Sequence, residues 1–430
     1  MKNLKLVVSS YAIYPDIKSS EGIVNKNWLT LLGRKTPTLF LSAKKSIAIG
    51  NKKDKSKSRV ETNIFLNTLY FLSKTDNLPI KYCYKIINFL FFKAFNVSLQ
   101  NYFWSKYQKY ILFNFVRNNN CVVWVRILPL LSLRPVLDVY KKKEFPIILN
   151  INDPIEFETQ QDNNSDHYFK ESISSVQCWT FPSNALANRT IMRYKLDKER
   201  CFVLPHAMER QAILYDGIKN KNRKIKLIYT GTFYKSAFSE NFRMALKKFC
   251  GTEASRSVEF VFILSQFDKQ SIKWLKETIT NLIIHNNLDR KEVLMHLSNS
   301  DCVLAVDSEG HKELLKGKVA EAVSFGLPIL GITYQGSVME KVLLEYCGYC
   351  SYQTDSENIF KALLLVCSNL RNKEWKQHFF IKRNLVMEKL SEEKIILYSN
   401  KIIEFAYNRF QMLDNRYVED IEVPNIPQWP

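Results

Sequence analysis

The 430-residue chain has only 12 glycines, and no two of them are one residue apart. The Gly-x-Gly-x-x-Gly turn that lets a backbone approach a pyrophosphate is therefore missing. GxxxxGK[ST] does not occur either. "GKV" at Gly317–Val319 keeps only its tail, so a P-loop is excluded. Asp-x-Asp is absent, and no His or Cys cluster has the spacing of a metal site. A phosphate ligand would then be neutralised by basic side chains and helix N-termini, without a tightly held metal. Long apolar runs are lacking too. No window approaches the ~20 apolar residues of a membrane span, and the richest stretch, "IINFLFFKAF", contains Lys93. The start, "MKNLKLVVSSYAIYP", has an apolar run too short for a signal peptide and reads as a first core strand. There is no internal repeat. These absences predict a cytoplasmic chain, soluble or peripheral.

Hydrophobic residues make up 46% of the chain, enough for a large core and, at this length, two domains. Lys and Arg total 62 against 42 acids, a net charge of +20 that attracts polyanions. The excess is uneven. From Asn77 to Leu137 there are eight basic residues and no acid, among many Phe, Tyr, Trp and Ile. Nine scattered cysteines fit a reducing compartment better than a disulfide framework. Cys347 and Cys350 in "CGYC" read as chance spacing in a buried turn.

Apolar strand-like runs alternate with helical ones throughout. "KLVVSSY", "TPTLFLSA", "CVVWVRI", "FPIILNIND", "VQCWTFPSN" and "CFVLPHA" read as strands of a first domain. "EGIVNKNWLTLLG" reads as a helix with Ile23, Asn27, Thr30 and Leu31 near one face and Gly33 as its stop. "NKKDKSKSR" (51–59) reads as a polar loop. "KLIYTG", "VEFVFIL", "DCVLAV" and "PILGI" are strands of a second domain. The pattern predicts an α/β fold with two doubly wound, parallel-sheet domains. Residues 1–214 form the first domain, 215–226 a polar basic linker, 227–395 the second domain, and 396–430 a C-terminal helix and tail.

The most informative stretch is Glu313–Gly331, "ELLKGKVAEAVSFGLPILG". On one continuous helix its two glutamates, eight residues apart, would lie about 80° out of phase. A helix beginning near Gly317, ended by Gly326 and Pro328, resolves this. Glu313 then precedes the helix and Glu321 lies one turn into it. Lys316 and Lys318 flank an N-terminus whose N–H groups and dipole favour an anion. The acids suit hydroxyl donors such as ribose and hexose. Ordinary dipole complementation and solvated lysines explain the same spacing.

The E-x7-E spacing, with Lys318, Glu321, Ala322, Gly326 and Pro328, resembles the donor-site segment of retaining GT-B glycosyltransferases, especially the glycosyltransferase-4-like group. "LIYTGTFY", "RKEVLMHLSNSDCVLAV" and "FPSNALANRTIMRYKLDKERCFVLPHA" resemble other parts of that family in the right order, covering most of the chain. The resemblance implies a GT-B architecture, two Rossmann-like domains facing a central cleft, the first on the acceptor side and the second holding the donor. It implies that Glu313 holds hydroxyls of the transferred sugar and Glu321 the ribose. Lys316, Gly317 and Lys318 would meet the diphosphate, with Gly231 and Lys235 in the loop after "LIYTG" and Gly22 in the first domain. The family's usual arginine near Gly231 has no counterpart, since Thr232 and Phe233 occupy that region. Its first-domain histidine is replaced by "NIND", so Asn152 or Asp153 stands in its place, with Asp153 the candidate beside Glu313 in catalysis.

The implied activity is transfer of a sugar from a nucleotide-diphosphate sugar, the co-substrate, to a glycan or lipid-linked acceptor. It would be retaining and metal-independent, with no cofactor, in bacterial surface polysaccharide assembly (O-antigen, capsule or lipopolysaccharide) at the inner face of the membrane. For the basic-aromatic block, Ile80, Tyr84, Ile87, Phe91 and Phe95 recur at helical spacing. A surface for anionic lipid headgroups and an ordinary core helix with basic decoration both fit. No RNA-binding module signature is present, so nucleic acid is not an expected partner. The rival class is a non-catalytic basic protein that binds nucleic acid or membrane.

Overall fold

A computed structural model describes residues 4–13, 16, 20–33, 36–49, 59–95, 97–127, 130–156, 163–206, 211, 214–218, 223–233, 238–415 and 421–430. The chain divides into two compact units. One comprises Met1–Leu204 with Ile396–Trp429, the other Pro205–Ile395 with the terminal Pro430.

The first unit is built on a sheet of β1 (Lys5–Ser9), β2 (Thr38–Leu41), β3 (Lys45–Ile49), β4 (Arg59–Thr62), β5 (Cys121–Ile127), β6 (Ile147–Ile151), β7 (Cys178–Phe181) and β8 (Cys201–Val203). Their order is β4-β3-β2-β1-β5-β6-β7-β8. Every residue of β5 and β6 is buried, as expected of strands covered on both faces. β3 and β4 add an antiparallel edge. They were not predicted, because "KSIAI" and "RVET" are short and half polar. Residues 51–58 of the predicted polar loop lie outside the described residues, and Arg59 belongs to β4.

The helix Ser20–Gly33 follows β1. Its buried face is Val24, Trp28, Leu31 and Leu32, not the predicted line through Asn27 and Thr30. Trp28 fixes the phase by meeting Trp124 of β5 edge-on, with ring centroids 4.9 Å apart. The C-terminal helix Glu392–Asn415 packs on the same unit. Phe405 meets Phe202 at 5.3 Å, and Asn120 Nδ2 donates to Tyr407 Oη at 2.9 Å.

The second unit is a fully parallel sheet of β9 (Ile225–Phe233), β10 (Val258–Phe267), β11 (Leu282–Asn286), β12 (Cys302–Val306), β13 (Ile329–Thr333) and β14 (Tyr349–Tyr352). Its order is β11-β10-β9-β12-β13-β14. Leu227, Phe260, Phe262, Leu330 and Ile332 join Phe242 and Phe249 in one core. Asp301, fully buried just before β12, accepts from both terminal nitrogens of Arg223 (2.6 and 2.5 Å) and from Lys226 N (2.8 Å). These bonds let a charge sit in the interior and staple β9 to β12.

Two readings change here. Ile225 and Lys226, expected in a linker, begin β9. Tyr215, also expected there, donates its N–H to Phe325 O at 3.0 Å. Polar composition conceals such backbone anchoring. The "CGYC" stretch is not simply a turn. Cys347 caps a helix in the left-handed region (φ 59°) and Cys350 lies in β14. Burial pushes both thiols upward, Cys350 to about 12, so neither is an ionised nucleophile at neutral pH.

The basic-aromatic block resolves into two helices of opposite character. In Leu99–Asn118, started by a Ser98 cap, Trp104, Leu112 and Val116 are buried. In Leu78–Phe95 no residue is buried.

Candidate functional site

In each unit the strand sequence turns back on itself beside the first strand. This places switch points between β1 and β5 and between β9 and β12. In open parallel sheets the crevice beyond the carboxyl ends of strands at such points receives ligands.

In the second unit, β9 ends through Thr230-Gly231-Thr232-Phe233 and β12 runs into Asp307. The segment after β12 makes a short 3-10 turn (Glu309–His311), passes through Glu313, and enters the helix Gly317–Ser324. The helix starts at Lys316 without a side-chain cap and with no acid in its first turn. Cations at the positive end of a helix dipole cost stability unless an anion or acid compensates them. Lys316 is compensated: its Nζ lies 3.1 Å from Oδ1 of Asp307, which is fully buried. Burial pushes the Asp307 carboxyl upward, and Lys316 partly opposes this. Lys318 reaches back over β9. Its Nζ is 4.2 Å from the Tyr229 ring centroid and 3.7 Å from where a Cβ on Gly231 would stand. Gly231 has φ +119°, a conformation glycine adopts freely. A side chain there would both strain the backbone and displace the lysine.

Glu321 is buried on the same helix, ion-paired with Arg290 at the start of the helix Arg290–Ser298. Glu313 is half-buried before the helix. Helix termination follows the predicted chemistry. Gly326 takes φ +64°, and Leu327 N donates to Ala322 O at 3.0 Å. A Cβ on Gly326 would lie 2.9 Å from Arg383 Nη1, which itself donates to Gly326 O at 2.9 Å. Gly326→Val should therefore lower stability by about 2–4 kcal/mol, combining left-handed strain with overpacking. Thermal or urea unfolding measures this, and an unchanged midpoint would refute the helix-stop role.

The structure thus gathers Gly231, Lys316, Gly317, Lys318, Glu321 and Glu313 on one unit, at or near one sheet edge. Lys235 lies outside the described residues. Gly22 and Asp153 belong to the first unit, at the corresponding edge. There Glu21 accepts from Arg126 Nε (3.3 Å) and from Asn152 Nδ2 (3.3 Å to each oxygen). Gly22 sits beside Glu21 in the helix after β1, and Asp153 follows Asn152 in the turn after β6. Burial lowers the proton affinity of Arg126, which is 1% exposed, and Glu21 counteracts this.

Three participants escaped the sequence reading: Asp307, Arg290 and Tyr229. Asp307 had a usable signal, an acid directly after a fully apolar strand. Arg290 and Tyr229 had none, because their roles come from neighbours remote in sequence. Among the described residues, no group of three or more His, Cys, Asp or Glu side chains is placed to hold a metal ion.

No family model matches the sequence, and no curated protein matches it. Solved structures do. A UDP-forming α,α-trehalose-phosphate synthase from Burkholderia xenovorans aligns at TM-score 0.60 with 12% identity, covering 93% of this chain and 99% of that one. A glycosyltransferase from Rickettsia africae ESF-5 aligns at TM-score 0.60 with 12% identity, covering 96% and 100%. Against S. aureus TarM (G117R mutant) the TM-score is 0.49 at 12% identity, with 66% of this chain aligned and only 55% of TarM spanned. The two full-length likenesses show the fold class: mixed α/β with two Rossmann-like, parallel-sheet domains, as in GT-B proteins.

Proposed function

We propose that the protein is a glycosyltransferase that moves a sugar, of the hexose type, from a nucleotide-diphosphate sugar to a glycan or lipid-linked acceptor. The observation that carries this is the placement of Lys316 and Lys318 at an uncapped helix N-terminus, on the switch point of a parallel sheet, with Lys318 over Gly231. Backbone N–H groups at a helix start beside two ammonium groups form an environment that favours a diphosphate. It supplies the charge that an arginine near Gly231 would otherwise provide.

In this reading the donor lies on the unit Pro205–Ile395. Lys318, Lys316 and the N–H groups at Gly317 hold the diphosphate and stabilise it as it departs. Glu321 accepts from the ribose hydroxyls and Glu313 from hydroxyls of the transferred sugar. The roles that the resemblance implies for Lys235 and Gly22 toward the diphosphate, and for Asp153 in catalysis, belong to the same reading. Transfer proceeds with retention and needs no metal, since the departing charge is met by lysines and a helix end. A role in bacterial surface polysaccharide assembly, on the cytoplasmic face, suits a lipid-linked acceptor.

The test is a panel of UDP-, GDP- and dTDP-sugars in thermal unfolding and hydrolysis assays, with CMP-sugars as the monophosphate control. A matched donor at 100 times its Kd should stabilise the fold by about 2.7 kcal/mol. If no diphosphate sugar shifts the melting temperature or is turned over, the proposal fails. Equal shifts with CMP-sugars would remove the diphosphate assignment.

A further inference from the structure

The helix Leu78–Phe95 is inverted. The line it turns toward its own unit is Tyr84, Asn88 and Phe91, all half-buried. Asn88 Oδ1 accepts from Leu99 N at 2.9 Å, and Phe91 meets Tyr102 with ring centroids 5.3 Å apart. The opposite face carries Tyr82, Ile86, Phe89 and Leu90, exposed by 56–62%. Ile87 and Phe92 flank them, and the preceding helix Ile64–Lys74 adds Phe71 at 65%. Among the described residues, twelve of the 25 exposed large apolar side chains fall within residues 64–95. An apolar patch of this kind marks an interaction surface.

The charges select the partner. Residues 64–95 contain Lys74, Lys81, Lys85 and Lys93 against one acid, Asp76. Lys93 Nζ lies 4.9 Å from the Phe89 ring centroid and Lys85 Nζ 5.9 Å from that of Tyr82. Ammonium groups therefore stand beside the apolar face. A two-fold contact between copies would set these lysines against like charge. Nucleic acid would leave the aliphatic side chains without a role. A bilayer with anionic headgroups satisfies both, with phosphates for the lysines and the acyl boundary for Ile86, Phe89 and Leu90. No helix among the described residues is long and apolar enough to cross a membrane, and an amphipathic helix of this kind suits the interface plane.

We propose that Leu78–Phe95, with the outer face of Ile64–Lys74, docks the protein on an anionic lipid surface. The test of this surface does not depend on any donor or acceptor.

The full chain should be sedimented with vesicles of phosphatidylcholine alone and with added phosphatidylglycerol. Binding is expected to the anionic vesicles, weakened at high salt as lysine attraction is screened. Lys85→Ser and Lys93→Ser should each cost about fivefold in vesicle affinity. Phe89→Glu with Leu90→Glu should cost on the order of 100-fold, because two side chains no longer leave water. As these positions are exposed, the melting temperature should hold. A second readout needs no substitution. Cys83, exposed in this helix, can carry a polarity-sensitive fluorophore whose emission should rise on anionic vesicles and be quenched by brominated lipid. Absent binding, undiminished binding of the Phe89/Leu90 double variant, or an unquenched Cys83 probe would each overturn the proposal. So would a dimer that the double variant dissociates, without vesicle binding, since that assigns the face to a second copy.

Discussion

Lys318→Met is expected to lower sugar transfer on the order of 100-fold, the usual effect of removing one donor aimed at developing charge. The same substitution should leave the melting temperature of the ligand-free protein nearly unchanged. Removing a cation from a positive helix end favours the fold by about 0.3–1 kcal/mol, while losing the contact of Nζ with the Tyr229 ring costs about 0.5–1 kcal/mol. A purely structural lysine would behave otherwise, with stability falling and turnover following it. Lys318→Arg separates charge from shape, because a guanidinium keeps the charge but not the compact head that fits over Gly231. Steady-state kinetics with the donor identified by the panel, alongside calorimetric unfolding, decides this. A Lys318→Met enzyme retaining full turnover would remove the central element of the proposed site.

The second large effect concerns Glu321 and Arg290. The resemblance implies only that Glu321 accepts ribose hydroxyls. The structure buries Glu321 and pairs it with Arg290. Side-chain exposures of 11% and 23% leave the pair only partly screened by water. Glu321→Ala should therefore destabilise by about 1–3 kcal/mol, since it strands a partly buried guanidinium. It should also weaken donor binding about tenfold or more. Arg290→Ala should destabilise comparably yet hold donor affinity within a few fold, because the carboxylate proposed to meet the ribose remains. The double variant should show a coupling energy of about 0.5–3 kcal/mol. If both single variants lose donor affinity equally, Glu321 acts by supporting the helix Gly317–Ser324, and its assignment to ribose falls.

Most strands were legible because fully buried parallel strands leave continuous apolar runs: "CVVWVRI", "IILNI", "DCVLAV". The helix Gly317–Ser324 was legible because its limits are chemical, set by a glycine able to take positive φ and a proline that cannot continue. Short strands at or next to a sheet edge, such as β3, β4 and β14, were not. Four or five residues with mixed polarity carry too little periodicity to distinguish a strand from a loop. The phase of the first helix was also misread, since a wheel cannot tell which of two apolar lines meets Trp124.

The candidate site divides the same way. Residue types and spacing determined that an anion-attracting helix start exists, with one glutamate before it and one within it. They also determined that residues 77–137 carry no acid. Tertiary structure alone decided that Lys318 reaches Gly231, 87 residues away in the chain, that Asp307 engages Lys316, and that Arg290 meets Glu321. It alone decided that the apolar face of Leu78–Phe95 points outward. The physical reason is common to all of these. Local pattern fixes which elements form and which faces are apolar, whereas the partner of a charge and the covering of a face depend on which distant strands the sheet order makes neighbours.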